Sequence, residues 1–480
     1  GEEINPGDGC ATVVSVINKD ILVVSEPAFD GAFIQRSEDA GGTYSTQFIE
    51  DLNLDDTFFY TPMTLWESFD NDNSRDSVMY YAKSTVVGGS KIQVLSNIGG
   101  HPFDYILPAD ITLQAGDSLR IKDIISSRYV IASLGEVYMT KELHTFTKTP
   151  EWFEISNSDV GFVGAAQCMD FSADANHLFV GTREGKLFRI SNLALAYNFE
   201  RADVTSPECI VSTQEIPINI PGTTDPITQV ITSVSVDPDN AANVMITLGN
   251  YGNDYYVLYS ENALDEVPVF NSRQGNLPAM PVYSSIIEMS NTDMGIIGTE
   301  HGVFVTENIH ADSPVWMRED SLMGSVPVFQ LIQQRVPKTA DTITLVNGNE
   351  ITYIIYPGTN NYGVIYSATF GRGLLRCNSF RLPVGIDEYN DEDINQSTLN
   401  INVYPNPVSS QATFSFEVFN NTTANVSVYD LAGRTVISET RAVIKGTNNL
   451  SFDLSELKPG SYVVRVLAGS NVYTHKIIAK

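Results

Sequence analysis

A unit of about 40 to 60 residues recurs along this chain, and a recurring unit restricts the architecture more than any single motif does. Each copy runs as an apolar first strand, a second strand ending near Gly, a third strand and a polar fourth. The clearest is PVYSSIIEMS, MGIIGTEHG, VFVTEN and VWMRED, from Pro281 to Asp320. TSVSVDPDN, NVMITLGNYG, YVLYSENAL and PVFNSRQ repeat it from Thr232 to Gln274, and LRIKDIISS, RYVIASLG, EVYMTKELHTF and EWFEIS from Leu119 to Ser156. Short runs rich in Val, Ile, Tyr, Phe and Thr, separated by Gly, Asn, Asp and Pro, are strand signals, and no long helical periodicity competes with them.

First strands fall near Ala11, Thr61, Ile121, Ala165, Ile231, Val282 and Val326. The expected fold is therefore all-β, an about seven-bladed β-propeller, since a small sheet buries one side only and gains a continuous core by stacking around an axis. YSATFGRGLLRCNSF ends without an obvious fourth strand. A strand near Ile4 to Cys10 is expected to fill that place and bring Cys10 to Cys377, where a disulfide would clamp the ends of the ring. Cys168 and Cys209 read as inner and outer strands of one blade, too far apart to bond. The four cysteines have no C-x-x-C spacing, which argues against a zinc site or a redox pair.

The formal net charge is -30, yet residues 397–480 hold 7 Lys/Arg against 5 Asp/Glu, so the acidity lies upstream. Such a surface repels phosphate backbones, which excludes nucleic acid as a partner. No apolar stretch reaches the roughly 18 residues that a transmembrane segment needs. Gly1, Glu2 and Glu3 read as the start of a chain whose signal peptide has been removed. The division expected is a propeller over 1–383, an acidic linker over 384–398 containing Asp387, Glu388, Asp391, Glu392 and Asp393, and a separate β-sandwich over 399–480.

Ser37-Glu38-Asp39-Ala40-Gly41-Gly42-Thr43-Tyr44 fits the S-x-D-x-G-x-T-[W/Y] pattern, so this region resembles the Asp-box propellers of the bacterial neuraminidase repeat group. In such a box the Asp side chain bonds backbone amides, Gly takes positive φ and the aromatic ring tucks between strands. The resemblance thus gives Ser37, Asp39, Gly41, Thr43 and Tyr44 a structural role. Tyr366 to Arg376 looks like the Y-x-x-T-x-G-R-G-[L/V]-W-R ending of the same broad group, which includes sortilin-like and xyloglucanase-like proteins, with Leu375 in place of Trp.

Tyr404-Pro405-Asn406-Pro407, then Asp430, Gly433 and Arg434, then Pro459, Gly460 and Tyr462 follow one another in the last 80 or so residues. This series is similar in order and spacing to the C-terminal sorting domain of type IX secretion substrates from Bacteroidetes. The resemblance implies a secreted or cell-surface protein whose partner is the type IX machinery. By itself the segment reads as a small antiparallel, immunoglobulin-like sandwich: TFSFEV, ANVSVYD and YVVRV alternate apolar and polar.

Chemistry is scarcely written in the propeller. A sialidase needs three convergent arginines, a Tyr/Glu pair and a proton donor, whereas Arg36, Arg75, Arg120, Arg128 and Arg183 are scattered. A xyloglucanase-like hydrolase needs two carboxylates across a cleft, and abundance alone picks none out. His301 reads as a strand-end polar group, and Trp66, Trp152 and Trp316 as packing residues. Asp70, Asp72, Ser74 and Asp76 place oxygens at alternating positions, as a calcium loop does, although an Asx-rich turn looks the same. No cofactor is required; a structural calcium is the one metal suggested. The expected function is binding of a glycan or protein by loops at the mouth of the central channel, without catalysis, the alternative being a glycoside hydrolase.

Overall fold

The structure is a computed structural model, and it describes residues 10–26, 33–50, 52, 54, 60–198, 211–319, 323–339, 341–347, 350–356, 358–382, 401–418, 421–429, 435–455, 457–468 and 471–480. The chain divides into two compact units, Gly1–Gly385 and Ile386–Lys480. Among the described residues there is no α-helix.

Sheet 1 contains β1 (Thr12–Val14), β2 (Leu22–Glu26) and β3 (Phe33–Ser37). β4 (Met63–Ser68) then opens sheet 2, but the next four strands lie outside that sheet: β5 (Ser77–Tyr81) pairs β8 (Ser118–Lys122), and β6 (Lys91–Leu95) pairs β7 (Pro102–Ile106). Sheet 2 resumes with β9 (Ser126–Ala132), β10 (Glu136–Thr140) and β11 (Phe153–Asn157). Sheet 3 holds β12 (Ala166–Phe171), β13 (His177–Thr182), β14 (Leu187–Ser191) and β15 (Ser212–Ile216). In sheet 4 are β16 (Ile231–Val236), β17 (Val244–Leu248), β18 (Val257–Ser260) and β19 (Asn271–Ser272); in sheet 5, β20 (Val282–Ile287), β21 (Gly295–Thr299), β22 (Gly302–Thr306) and β23 (Met317–Arg318). Sheet 6 is β24 (Val328–Gln333) with β27 (Ile365–Thr369) and β28 (Gly373–Cys377), and a hairpin of β25 (Asp341–Asn347) and β26 (Glu350–Tyr356) is inserted between them.

Strands β1, β4, β12, β16, β20 and β24 are successive neighbours, which makes them the inner strands of a β-propeller. Just beyond β24, Lys338 Nζ donates to the Ile17 carbonyl at 3.4 Å and so joins the last sheet to the first. Six such sheets are present among the described residues, and the seventh unit expected at Ile121 resolves differently. Ile121 lies in β8, and the strand that pairs β4 in register from Met63↔Ile131 to Ser68↔Ser126 is β9. Residues between β4 and β9 form an insertion whose core of Val78, Ile92, Val94, Phe103, Ile121 and Ile125 also takes in Ile17 from the turn after β1.

The second strands are apolar on both faces because each is covered by the sheets before and behind it. All five residues of β17 and all seven of β9 are buried. Gly in these strands allows the next inner strand to approach. A Cβ at Gly181 would lie 2.6 Å from Ile231 Cγ2, and one at Gly298 would lie 2.7 Å from the Val328 carbonyl oxygen.

Arginines tie the sheets together. Arg36 of sheet 1 donates to the Leu143 carbonyl at 2.7 Å, Arg189 to that of Ala263 at 2.5 Å, and Arg273 to that of Ile309 at 2.8 Å, each acceptor belonging to the following sheet. Arg128 makes the same kind of bond to Ala175. Burial pushes the Arg36 guanidinium down to about 10, against the pull of Glu38 and Tyr129. The indoles act alike: Trp66 donates to Ala173, Trp152 to Phe48 and Trp316 to Arg273.

The second unit is a β-sandwich. One sheet is β29 (Asn402–Tyr404), β30 (Gln411–Val418) and β33 (Gly446–Asp453); the other is β31 (Thr422–Tyr429), β32 (Thr435–Val443), β34 (Gly460–Ala468) and β35 (Asn471–Ala479). Here one face of each strand is solvated, so β30 alternates, burying Ala412, Phe414, Phe416 and Val418.

The candidate functional site

The propeller end at which the inner strands begin is shaped by one irregularity made four times. A β-bulge interrupts β12 at Gln167, β16 at Thr232, β20 at Tyr283 and β24 at Phe329. A bulge kinks the strand and re-aims its extra side chain. Beside each bulge sits the turn between the second and third strands, held by a bond to the residue that precedes the inner strand. These are Arg183 N to Ala165 O at 2.9 Å, Gly249 N to Val230 O at 3.0 Å, Glu300 N to Pro281 O at 3.2 Å and Phe370 N to Pro327 O at 2.9 Å.

In sheets 3, 5 and 6 bulge and turn together present a pair of side chains, whereas in sheet 4 Thr232 bonds Thr247 Oγ1 and the Val282 carbonyl. Sheet 3 contributes a polar pair, Arg183 Nε donating to Gln167 Oε1 at 3.1 Å. In sheet 5 the Tyr283 hydroxyl donates to Glu300 Oε2. Phe329 and Phe370 of sheet 6 have ring centroids 6.2 Å apart, and Phe329 lies 5.0 Å from Tyr283. The result is an aromatic strip flanked by a carboxylate. Phe329 is 51% exposed, Phe370 68% and the neighbouring Tyr251 66%. Burial first, then the Glu300 carboxylate, raise the Tyr283 hydroxyl above its ordinary range, and burial with Glu300 does the same to Tyr251. Both phenols stay protonated and able to donate at neutral pH. His301 is exposed in the same turn, its amide bonded to Thr299 Oγ1, as expected of a strand-end polar residue.

At the opposite end of the inner strands the carboxylates are engaged by the fold. Glu67 accepts from Ser15 Oγ at 2.9 Å, Val16 N at 2.6 Å and Ser127 Oγ at 3.2 Å, and meets His144 at 2.7 Å. Asp237 accepts from Asp239 N and Asn243 Nδ2, and Glu288 from Ser290 and Gln333. Asp170 accepts from Val236 N and lies 3.8 Å from Arg335, and burial raises its pKa despite that cation. Each carboxylate closes a turn or joins neighbouring sheets.

Ser37, Asp39, Gly41, Thr43 and Tyr44 form a tight turn leaving β3. Asp39 Oδ1 accepts from Thr43 N at 2.7 Å, Asp39 Oδ2 from Thr43 Oγ1 at 2.9 Å, and Ser37 Oγ from Gly41 N at 2.9 Å, with Gly41 at φ 92°. The two bonds from Thr43, with the one that Ser37 Oγ donates to Asp39 Oδ1 at 2.8 Å, lower the Asp39 pKa. Looser versions recur, unmarked by the full pattern: Ser260 Oγ donates to Asn262 Oδ1 at 3.1 Å after β18, and Thr306 Oγ1 accepts from Asn308 N at 3.4 Å after β22. The carbonyl that follows each of these, at Ala263 and Ile309, is the one the arginine of the preceding sheet reaches.

The four residues of the suggested calcium loop are not brought together as a carboxylate cage. Asp76 pairs with Lys141 Nζ at 2.6 Å, the Asp72 side chain is 94% exposed and 3.9 Å from Lys122, and Ser74 Oγ accepts from Asp76 N. Asp70 donates its amide to Ser68 Oγ. Among the described residues no three His, Cys, Asp or Glu side chains gather as a metal site would require.

The expected Cys10–Cys377 bond is not formed. The Cys10 amide donates to the Ser25 carbonyl, which starts the ladder of sheet 1 instead of completing sheet 6, while Cys377 is exposed on β28. Cys209 and most of the strand expected near Ile4 lie outside the described residues.

In the sandwich, Asn406 fastens the final strand: its Nδ2 donates to Lys476 O at 3.0 Å and its Oδ1 accepts from Ile478 N at 2.9 Å. Tyr404 is half exposed between Asn402 and Pro405, and both Pro405 and Pro407 follow cis peptide bonds. Tyr462 is buried and donates to Lys458 O at 2.9 Å, across a turn where Pro459 is exposed and Gly460 begins β34. Asp430, Gly433 and Arg434 lie outside the described residues, as does the linker 384–398.

Residues 402–480 match the family described as the secretion system C-terminal sorting domain. No curated protein sequence matches the chain. Among solved structures the chain is similar to the GH74 enzyme of Niastella koreensis, at 12% identity over 98% of this chain and 66% of that one, with a TM-score of 0.32. It is also similar to the GH74 xyloglucanase of Xanthomonas campestris, at 11% identity over 96% of this chain and 57% of that one, TM-score 0.35. Sqt1 from Chaetomium thermophilum gives 13% identity, 77% and 82% coverage and a TM-score of 0.40. The chain thus spans about two thirds or less of the two GH74 proteins, and likeness at this level says nothing of activity. The chain accordingly joins a β-propeller to a secretion system C-terminal sorting domain at residues 402–480.

Proposed function

We propose that the protein is a secreted, surface-displayed propeller that binds a glycan on the strip formed by Tyr283, Phe329 and Phe370, after export by the type IX machinery through its C-terminal domain. The observation that carries the reading is an exposed aromatic strip beside a carboxylate, set by bulges in a rigid ring. A pyranose offers an apolar face of C–H groups to an aromatic ring and hydroxyls to a neighbouring acceptor, and Glu300 and Tyr251 supply polar partners of that kind. The turn built by Ser37 and Asp39 belongs to the scaffold in this reading, as in Asp-box propellers.

A panel of neutral polysaccharides tested by affinity electrophoresis and calorimetry against the full chain checks it. Phe329→Ala and Tyr283→Ala are each expected to weaken binding by about tenfold or more; Phe329 is half exposed, and Tyr283→Phe, which keeps the partly buried ring, separates loss of the hydroxyl from any effect on folding. Retained affinity in both variants would refute the reading. The Tyr283–Glu300 hydrogen bond is the one feature that favours a glycoside hydrolase instead. Release of reducing ends from a bound polysaccharide, abolished by Glu300→Gln, would establish that alternative.

A further inference from the structure

Where the insertion meets sheet 2, a pocket of about 80 Å³ is lined by Ser74, Arg75, Asp76, Ser126, Arg128 and Lys141 among others. Its charge is opposite in sign to that of the chain: three cationic groups face one carboxylate in a protein of net charge -30. Asp76 is paired with Lys141 at 2.6 Å, and Arg75 adds an exposed guanidinium to the same lining. Arg128 is fixed, donating to the Ala175 carbonyl with its guanidinium 5.3 Å from the Trp66 ring. Arg75 is exposed at the mouth.

The neutral groups add donors. Ser126 Oγ accepts from Asn71 Nδ2 at 2.9 Å, and Ser74 Oγ accepts from Asp76 N at 3.3 Å, so each hydroxyl retains its own hydrogen to give. A volume near 80 Å³ equals the share of about two or three liquid waters, the size of one small oxyanion. Guanidinium, ammonium and two hydroxyls around such a space are the donor set of an anion site. A divalent cation there would face three like charges.

We propose that this pocket binds an oxyanion, a sulfate or a carboxylate, either free or carried on an acidic sugar. The site stands apart from the aromatic strip and does not depend on it: it lies around the end of β4, the start of β9 and the end of β10, whereas the strip lies where the inner strands begin.

The test is calorimetric titration of the full chain at low ionic strength with sodium sulfate and, separately, with sodium glucuronate, against sodium chloride of matched ionic strength. Saturable binding of either oxyanion, absent for chloride, is expected, with affinity at least about tenfold lower in Arg75→Ala and unaltered in Arg120→Ala, an exposed control on β8. Tighter binding of glucuronate than of sulfate would assign the anion to an acidic glycan, and the reverse to an inorganic ion. Lys141→Met, which leaves Asp76 unpaired, is expected to abolish binding. Sulfate and glucuronate both behaving like chloride, or undiminished affinity in Arg75→Ala, would overturn the proposal. A calcium-dependent rise in melting temperature that Asp76→Asn removes would overturn it as well.

Discussion

Replacing Arg273 by Met keeps the length of the side chain and deletes the bond between sheets 4 and 5. Arg273 is 4% exposed; its Nε donates to Ile309 O at 2.8 Å, and Ile309 is fully buried. A hydrogen bond from a charged donor contributes about 1.5–3 kcal/mol, and the carbonyl left without its donor pays most of the cost of desolvation. Met also relieves the burial of a cation, which places the net loss at about 2–3 kcal/mol. At roughly 2.1 cal/mol/K per residue, a unit spanning Gly1–Gly385 has an unfolding entropy near 0.8 kcal/mol/K, so the melting temperature is expected to fall by about 2.5–4 °C. Differential scanning calorimetry of the full chain reads this, with Arg372→Met, at an exposed position on the rim, as the control. A melting temperature within about 1 °C of the parent for Arg273→Met would refute the claim that these arginines hold the sheets together.

Two further outcomes follow from bonds described above. The Asp39 pKa is lowered in the folded chain by the amide of Thr43 and the hydroxyls of Ser37 and Thr43, so its contribution to stability is present above its unfolded value of 3.8 and is lost as pH falls through the lower native value. The gap in melting temperature between the parent and Asp39→Ala is therefore expected at pH 7 and should narrow progressively below the unfolded value of 3.8; a gap that does not narrow in acid contradicts the assignment. Asn406→Ala removes both bonds to β35 and is expected to cost about 1 kcal/mol, seen as roughly fivefold faster hydrogen exchange in the peptide that contains Ile478. Unchanged exchange would show that the opening motif of the sorting domain does not fasten its last strand.

The repeat was legible because the fold is built from local hairpins. From Thr232 to Arg318, sequence order is also the order of strands in the sheets, and the Gly at the end of a second strand has a reason in the close approach of Val328 to Gly298. The insertion defeats this logic. Strands β8 and β9 follow one another as closely as hairpin strands do, and the pattern of alternating apolar residues carries no mark that β9 pairs with β4 across the whole insertion. Hence Ile121 read as an inner strand.

The strip of Tyr283, Phe329 and Phe370 was invisible for a related reason. A bulge adds one residue to a strand without changing its composition, so only alignment of the repeats would have shown that Gln167, Thr232, Tyr283 and Phe329 share a position. Four of the arginines that the sequence scatters, Arg36, Arg128, Arg189 and Arg273, each reach a carbonyl of the adjacent sheet, a partner that lies far away in sequence. Asp70, Asp72, Ser74 and Asp76 alternate as calcium ligands do, but Lys122 and Lys141, distant in sequence, supply the partners.

Deleting residues 69–125 and joining Ser68 to Ser126 through a short turn tests the central claim most directly, since those two residues are already paired in the ladder of sheet 2. If the excised strands are an insertion, the shortened chain keeps its β-sheet circular dichroism, unfolds in one cooperative propeller transition and still binds glycan through the strip at Tyr283 and Phe329. If they form part of a blade, their loss opens the ring, and the shortened chain aggregates or melts without cooperativity.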